Sequence, residues 1–247
     1  MKGLILAAGY GTRLYPLTLE RPKTLLEVGG KTILERLLEK IEKVEACNEV
    51  YIVTNGRFYD VIDEWVSGHK YRFRVETIND KTMSNEDRLG AIGDIDLVLK
   101  LKQLKEDILI VAGDNLFEFD IVDFVSFAKK QGHLSIAFFD VKDKALARRY
   151  GIVALDRDRR VVDFVEKPQE PPSTLASTGI YYLPAGKLEK FSEYMRTANP
   201  KDAPGHFMKW MAENDKAFGF VFTEGWYDIG DLVSLGKADE EYRKDQI

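Results

Sequence analysis

Short apolar segments alternate with amphipathic segments along the first 140 residues. Apolar runs of strand length occupy 4–8, 50–54 and 107–112. Between the first two runs, Thr32 with Glu35 three residues later gives a capping-box start to a segment whose apolar residues recur at helical spacing. Buried strands that alternate with amphipathic helices predict an α/β fold with a doubly wound parallel sheet.

The hydrophobic pattern changes beyond residue 140. Residues 150–156 and 161–165 resemble two strands joined by a charged turn, which predicts a small antiparallel platform built onto the sheet. Helices are expected near 188–196 and 206–213, and a strand at 217–222 comes before an amphipathic helix at the end of the chain. The sheet is therefore expected to be mixed.

The first strand runs into a turn of small residues that contains Gly9 and Gly11. Glycines at these positions let successive backbone N–H groups turn toward an anion. Arg13 offers a planar fork suited to phosphate oxygens, and Lys23 offers a point charge. The spacing fits neither a Walker A motif nor the dinucleotide Gly-x-Gly-x-x-Gly pattern. We predict a phosphate-binding loop at the carboxyl edge of the sheet, where ligands of such sheets bind.

Composition narrows the choice of function and location. The 247 residues carry a formal net charge of −5 without a basic block, which argues against a nucleic-acid partner. Cys47 is the only cysteine, so no intramolecular disulfide forms. No run reaches the roughly 18 apolar residues of a membrane span. We expect a cytoplasmic protein with no membrane partner and a single domain over residues 1–247.

The segment Leu6-Ala7-Ala8-Gly9-x-Gly11-Thr12-Arg13-Leu14, followed by Pro22-Lys23, resembles the signature of the nucleoside-triphosphate-dependent sugar-1-phosphate nucleotidyltransferases. This family includes the glucose-1-phosphate thymidylyl- and uridylyltransferases. The resemblance extends to about residue 236 and implies a Rossmann-like doubly wound mixed sheet of the nucleotide-diphospho-sugar transferase type, with a small antiparallel sugar-binding platform. The carboxy-terminal β-helical extension of some relatives is not expected. Dimers and tetramers are common in the family, which leaves a homo-oligomer open.

The resemblance also implies site residues for a nucleoside triphosphate and a sugar 1-phosphate. Glu166-Lys167-Pro168, Gly179-Ile180-Tyr181 and Tyr150-Gly151 resemble the sugar-phosphate segments of the family. The implied catalytic cations are Arg13, Lys23 and Lys167. The implied nucleotide-binding residues are Leu6, Ala8, Gly9, Gly11, Thr12, Asn79, Asn85 and Gly90. The implied residues for the sugar phosphate are Gly113, Gly151, Glu166, Lys167, Thr178, Gly179 and Trp226.

Two aspartates stand where the family holds Mg²⁺. Asp114 belongs to a Gly-Asp-Asn turn at the end of the strand 107–112, and Asp228 belongs to a Trp-x-Asp-x-Gly segment. Carboxylate oxygens are hard ligands that suit Mg²⁺ on a triphosphate. The resemblance thus implies Mg²⁺ as cofactor.

The loop between Asn79 and Arg88 departs from the thymidylyl and uridylyl enzymes. They carry a Gln-x-x-x-x-Gly-Leu-Ala pattern here, and this chain does not. Its Asn and Ser residues also suit an ordinary solvated loop with a helix cap. The same loop is closer to cytidylyltransferases that act on phosphocholine, so transfer to phosphocholine or an alditol phosphate stays open. A non-catalytic nucleotide-sugar sensor is a third alternative. The base and the sugar are left open.

Overall fold

A nine-stranded mixed sheet runs through the molecule, with helices on both faces. The computed structural model describes residues 1–197, 199–200, 202 and 204–244. The strands are β1 (Lys2–Leu6), β2 (Glu27–Val28), β3 (Lys31–Thr32), β4 (Glu49–Thr54), β5 (Arg74–Asn79), β6 (Ile108–Ala112), β7 (Asn115–Phe117), β8 (Leu134–Asp140), β9 (Gly151–Leu155), β10 (Val161–Glu166), β11 (Leu175–Leu183), β12 (Ala217–Phe222) and β13 (Trp226–Asp228). The α-helices are α1 (Ile33–Glu42), α2 (Tyr59–Ser67), α3 (Gly90–Leu101), α4 (Ile121–Gln131), α5 (Lys144–Ala147), α6 (Leu188–Met195), α7 (Pro204–Asn214) and α8 (Leu232–Lys244).

The amino-terminal half contributes four parallel strands in the order β6-β1-β4-β5. Leu6, the last residue of β1, is opposite Val53 of β4 and Ala112 of β6. The carboxyl ends of three central strands therefore meet at one edge of the sheet. The predicted doubly wound α/β fold is confirmed.

The carboxy-terminal half adds antiparallel strands to the same sheet. β11 pairs with β6 and with β8, and its first residues pair with β9 of the β9–β10 hairpin. The register of β11 against β8 shifts between Ser177 and Tyr181. The hairpin is thus hydrogen-bonded into the main sheet through β11, and β12 extends the other branch parallel to β8.

Alternate residues of the central strands face opposite layers of helices. Ile5 and Ile52 pack in the cluster that contains Leu37 of α1. Leu4 and Tyr51 point to the other face and pack in the cluster that contains Ile95 of α3. Burying a side chain of this size contributes roughly 1.5–3 kcal/mol. The strands are apolar on both faces because helices cover both.

Two local features bear on the sequence predictions. Thr32 caps α1 as expected, since its hydroxyl accepts the Glu35 N–H at 3.1 Å. The charged segment after residue 142, for which no helix was predicted, forms α5, because the Asp143 carboxylate accepts the N–H groups of Ala145 and Leu146. The described residues include no helix of the length and apolarity that a membrane span requires.

A separate two-stranded ribbon joins distant parts of the chain. β7 pairs antiparallel with β13, and Asn115 is opposite Asp228. The Ile229 N–H donates to the Asp114 carbonyl at 2.9 Å. This ribbon brings the two predicted metal-binding aspartates together across more than a hundred residues of sequence.

Candidate active site

A cleft opens at the carboxyl edge of β1 and β6. It consists of two adjoining cavities of about 460 Å³ and 560 Å³. The larger cavity lies beside the glycine-rich loop and the smaller beside β9, β10 and β11. The residues that line both are Leu6, Gly9, Arg13, Arg88, Asp114, Asp202 and Pro204. We call the two cavities together the cleft. Its phosphate side is the larger cavity, and its sugar side is the smaller one.

The glycine-rich loop is held in a fixed turn. Gly11 has φ 61° and ψ 29°, the left-handed conformation that glycine adopts without strain. The Thr18 hydroxyl donates to the Gly11 carbonyl at 2.7 Å, and a Cβ on Gly11 would lie 3.1 Å from the Thr18 methyl carbon. Gly9 does not adopt a positive φ, and a Cβ there would have no atom within 4 Å, so the absence of a side chain keeps this part of the cleft open. Arg13 follows on a short 3₁₀ turn and is exposed to the cleft.

Lys23 and Asp114 form an ion pair in the cleft. The Lys23 ammonium lies 2.8 Å from Oδ2 of Asp114. Burial alone would raise the pKa of Asp114, but the Lys23 charge, with hydrogen bonds from Lys23 and Asn115, holds that pKa below its usual range. Asp114 is therefore ionised at neutral pH, as a metal ligand must be.

Asn115 fixes the orientation of two neighbours. Its side-chain N–H donates to Oδ1 of Asp114 at 2.7 Å, and its Oδ1 accepts the Trp226 indole N–H at 2.8 Å. The Trp226 ring meets Tyr150 edge to face at 5.0 Å between centroids. A single amide thus connects the carboxylate to the aromatic wall of the sugar side.

Asp228 is the second carboxylate of the cleft. Burial and the negative charge of Asp114 raise its pKa, and the Lys23 and Arg13 charges oppose that rise. Two carboxylates that repel each other suit a divalent cation between or beside them. Outside the few residues left undescribed, no cluster of three or more His, Cys, Asp or Glu side chains forms a metal site. Two carboxylates still fit Mg²⁺, which commonly takes its other ligands from phosphates and water.

The sugar side is assembled from three antiparallel strands. Gly151 begins β9, Glu166 ends β10, and all of the predicted sugar-side residues except Gly113 line the smaller cavity. Lys167 adopts φ 45°, and its N–H donates to the Tyr150 carbonyl at 3.0 Å. Its ammonium lies 4.0 Å from Glu166. The Thr178 hydroxyl donates to the Ala137 carbonyl and so faces the sheet rather than a ligand.

Gly179 lies in β11, beside Ala112 at the end of the neighbouring strand β6. Its φ is 75°, and a Cβ there would come within 2.6 Å of the Ala112 Cβ. Glycine is required at this point because both the backbone conformation and the close approach exclude a side chain. Gly179 also lies within the segment, between Ser177 and Tyr181, where the register of β11 against β8 shifts.

The loop after β5 contributes only part of what was predicted. Asn85 and Gly90 line the cleft. Asn79 lines neither cavity, and its Oδ1 accepts the Lys81 N–H at 2.6 Å. The structure therefore places Asn79 outside the cleft, because its side chain closes the turn that ends β5.

A buried polar chain connects this loop to the glycine-rich loop. The Tyr10 hydroxyl pairs with Thr82 at 2.9 Å, and the Thr82 hydroxyl donates to Oδ1 of Asp80 at 2.8 Å. Oδ2 of Asp80 and Oδ1 of Asp94 are buried without a hydrogen-bond partner, and each carboxyl group affects the pKa of the other. Burial, and then the Asp80 charge, raise the pKa of Asp94 to about 7. Asp94 also lines the cleft, one helical turn from Gly90.

Sequence reasoning missed four charged residues of the cleft. The residues that line the smaller cavity but were not singled out are Arg88, Asp94, Arg149 and Asp202. Asp94 carried a signal, since an acidic residue within the apolar repeat of a helix needs a buried partner. Arg88 and Arg149 stand in charged segments, where a solvated role is the default.

The fold and the cleft define an α/β protein with two carboxylates beside its glycine-rich loop. The sequence model of the family described as Nucleotidyl transferase matches residues 2–245. The chain belongs to this family. Its predicted membership among the sugar-1-phosphate nucleotidyltransferases is confirmed by the relatives described next.

The chain is 30% identical over 250 residues to the bifunctional protein GlmU of Methanococcus vannielii, which covers 99% of this chain and 55% of that protein. It is 30% identical over 233 residues to a mannose-1-phosphate guanylyltransferase catalytic subunit beta of Drosophila pseudoobscura, with 93% and 59% covered. A crystal structure from Bacillus anthracis, provisionally identified as a glucose-1-phosphate thymidylyltransferase, superposes with a TM-score of 0.84 at 26% identity, over 98% of this chain and 95% of that one. The chain spans about half the length of the curated relatives that it matches.

Proposed function

We propose that the chain transfers a nucleotidyl group from a nucleoside triphosphate to a sugar 1-phosphate, giving a nucleotide sugar and pyrophosphate. The observation that carries this proposal is the joint position of Asp114 and Asp228, with Lys23 paired to the first of them at 2.8 Å. These groups lie between a glycine-rich anion loop and a sugar-side wall. The names of two similar proteins, which specify mannose 1-phosphate and glucose 1-phosphate, support transfer to a hexose 1-phosphate.

The reaction needs little covalent chemistry from the protein. An oxygen of the sugar phosphate attacks the α-phosphorus of the triphosphate in line, a new O–P bond forms, and the bond from the α-phosphorus to the bridging oxygen breaks as pyrophosphate leaves. The attacking phosphate is already ionised at neutral pH, so no general base is required. Catalysis then depends on positioning and on stabilisation of the developing charge.

Asp114 and Asp228 would hold Mg²⁺ beside the reacting phosphates. When bound, the ion supplies charge neutralisation to phosphate oxygens. The protein contributes two ionisable oxygen groups at a fixed separation, because both belong to or adjoin the β7–β13 ribbon. Asn115 holds Asp114 in the orientation that the ion would meet.

The cations of the cleft would bind different phosphate groups of the two substrates. Arg13 and the backbone N–H groups of 9–12 would stabilise the departing pyrophosphate. Lys23 and Lys167 would hold the two phosphates that must approach each other despite their like charges. Each charge-assisted hydrogen bond of this kind contributes roughly 1.5–3 kcal/mol.

The sugar-side wall would position the hexose. Glu166 offers carboxylate oxygens to sugar hydroxyls. Gly151 and Gly179 also line this side of the cleft, and a side chain at either would collide with Phe164 or Ala112. Trp226 supplies an apolar surface next to Tyr150. As part of the same proposal, we place the protein in the cytoplasm, which the single unpaired Cys47 supports.

The test is pyrophosphate release in the presence of Mg²⁺, with each common nucleoside triphosphate crossed against hexose 1-phosphates, choline phosphate and alditol phosphates. Release with a hexose 1-phosphate is expected, and it should fall by orders of magnitude in Asp228→Asn. Release only with choline phosphate or an alditol phosphate would contradict the sugar assignment in favour of a cytidylyltransferase. Nucleotide binding without any release would indicate a sensor.

A further inference from the structure

Arg149 is a cation of the cleft that the proposed mechanism leaves unused. It lines the smaller cavity together with Tyr150, Gly151, Glu166 and Lys167. Within the described part of the chain, its guanidinium forms no ion pair or hydrogen bond with another side chain. An arginine at the mouth of a cleft with all of its donors available is suited to an anionic ligand.

The backbone around Arg149 is fixed although the guanidinium is not. Its N–H donates to the Leu146 carbonyl at 3.0 Å, and the Tyr150 N–H donates to the Ala147 carbonyl at 3.1 Å. The carbonyl of Tyr150 in turn accepts the N–H of Lys167. Arg149 is therefore attached to the same backbone network that positions Lys167, on the sugar side of the cleft.

The charge of Arg149 acts on two carboxylates, of which Asp228 lines the cleft, without being neutralised by them. It interacts electrostatically with Asp228 and with Asp231, yet it forms an ion pair with neither. Arg13 acts on Asp228 as well, but from the phosphate side, where its guanidinium adjoins Gly230. Arg149 thus lines only the smaller cavity, to which Asp228 belongs, whereas Arg13 lines both cavities.

We propose that Arg149 binds the phosphate group of the sugar 1-phosphate. This assignment builds on the function proposed above and adds a substrate-binding residue to it. Arg13 lies by the glycine-rich loop, so it serves the triphosphate, whereas Arg149 lies one residue before Tyr150 and adjoins the groups proposed for the sugar. A planar fork can donate two parallel hydrogen bonds to one phosphate, which fixes the orientation of the attacking oxygen as well as its charge.

The test uses equilibrium binding rather than turnover. Isothermal titration calorimetry with glucose 1-phosphate, mannose 1-phosphate and N-acetylglucosamine 1-phosphate is carried out on the wild type, Arg149→Ala and Arg149→Lys. We expect Arg149→Ala to weaken the hexose 1-phosphate that binds best by about 10- to 100-fold, as for loss of a charge-assisted pair. Arg149→Lys keeps the charge but loses the planar guanidinium. Its affinity for the hexose 1-phosphate should therefore lie between those of the wild type and Arg149→Ala.

Arg148 gives a matched control. It carries the same charge one residue earlier and is exposed, but it lines neither cavity. Arg148→Ala should bind the sugar phosphate as the wild type does, and Arg149→Ala should keep its affinity for the triphosphate within about twofold, since the lost contact is to the other substrate.

The outcomes separate this assignment from the proposed function. Equal binding by Arg149→Ala and the wild type would overturn the role of Arg149 and leave the proposed function intact. Weaker binding of the triphosphate instead of the sugar phosphate would also overturn it. Binding that depends on Arg149 but leads to no pyrophosphate release would support the assignment and contradict the proposed function. A wild type that binds no hexose 1-phosphate would contradict both.

Discussion

The two sides of the cleft differ in how far their polar groups are already paired. On the phosphate side, Lys23 lies 2.8 Å from Asp114, and Thr18 holds the Gly11 carbonyl at 2.7 Å. On the sugar side, the Lys167 side chain is 67% exposed and its ammonium is 4.0 Å from Glu166. Arg149 has no side-chain partner among the described residues.

This difference indicates how each side handles charge. Cations that are paired within the protein have already lost conformational freedom, so they can stabilise a developing charge without rearrangement. Cations left unpaired gain their partners from the substrate and contribute mainly to its binding. We therefore expect substitutions on the phosphate side to reduce kcat, and substitutions on the sugar side to raise KM.

The largest effect is expected from the carboxylates that the two sides share. Asp114→Asn and Asp228→Asn should each lower kcat by about 10²- to 10³-fold, because the neutral amide removes the charge that faces the reacting phosphates. Circular dichroism should show the same fold as the wild type. Asp231→Asn is the control, since its oxygen caps α8 by accepting the Ser234 N–H at 2.8 Å, and it should retain activity. Wild-type turnover in both cleft variants would refute the metal-binding role.

A pair of lysine variants compares the two sides directly. Lys23→Met should lower kcat by about 100-fold, whereas Lys167→Met should raise KM for the sugar 1-phosphate by about 10-fold with a smaller change in kcat. Steady-state kinetics with each substrate varied in turn measures both constants.

Lys2→Met serves as the reference for loss of a paired lysine. Lys2 lies 3.1 Å from Glu49 and is about as buried as Lys23, but it is remote from the cleft. Its removal should leave both constants unchanged. If Lys23→Met and Lys167→Met changed the same constant, the contrast between the two sides would be wrong.

Next in size is the effect of adding a side chain at Gly179, where β11 lies beside the end of β6. Gly179→Ala should lower the free energy of unfolding by about 2–4 kcal/mol, because a positive φ and a contact at 2.6 Å both oppose the methyl group. Gly132→Ala separates the two causes, since Gly132 has φ 64° with nothing within 4 Å of the added Cβ. Gly132→Ala should lower the free energy of unfolding by only about 1 kcal/mol. Urea unfolding of both variants measures the difference. Equal losses of unfolding free energy would mean that the contact with Ala112 does not destabilise Gly179→Ala.

The smallest effect concerns the buried acid pair Asp80 and Asp94. Because folding raises the pKa of Asp94 to about 7, first through burial and then through the Asp80 charge, the wild type loses stability as pH rises from about 4 to 7. Asp94→Asn cannot ionise, and its amide N–H can donate to Asp80. The variant should therefore be more stable than the wild type by about 1–3 kcal/mol above pH 7, with no gain near pH 4.

Thermal or urea unfolding between pH 4 and 8 would reveal this gain. Asp96→Asn is the comparison on the same helix, where Asp96 pairs with Lys100 at 2.7 Å on the surface. It should show no gain that grows with pH. A stability difference between Asp94→Asn and the wild type that stays constant across the range would show that Asp94 does not hold a proton at neutral pH.

The sequence alone determined the features that are local in the chain. The glycine-rich loop, Arg13 and Lys23 follow one another within about twenty residues, so spacing was enough to predict an anion site. Alternating strands and helices fixed the parallel half, and the carboxyl edge of that half located the cleft, because consecutive parallel strands end on the same side. The Thr32 cap of α1 was also readable, since a cap involves only neighbouring residues.

Only the tertiary structure decided features that depend on distant pairings. The β7–β13 ribbon brings Asp228 to Asp114, and a buried carboxyl pair links Asp80 to Asp94. Asn79 matched a nucleotide-binding position in sequence, but its side chain closes a turn outside the cleft. Arg149 looked like an ordinary surface cation. Periodicity and propensity describe interactions over a few residues, whereas burial, charge pairing and the direction of a side chain are set by segments that meet only in the folded chain.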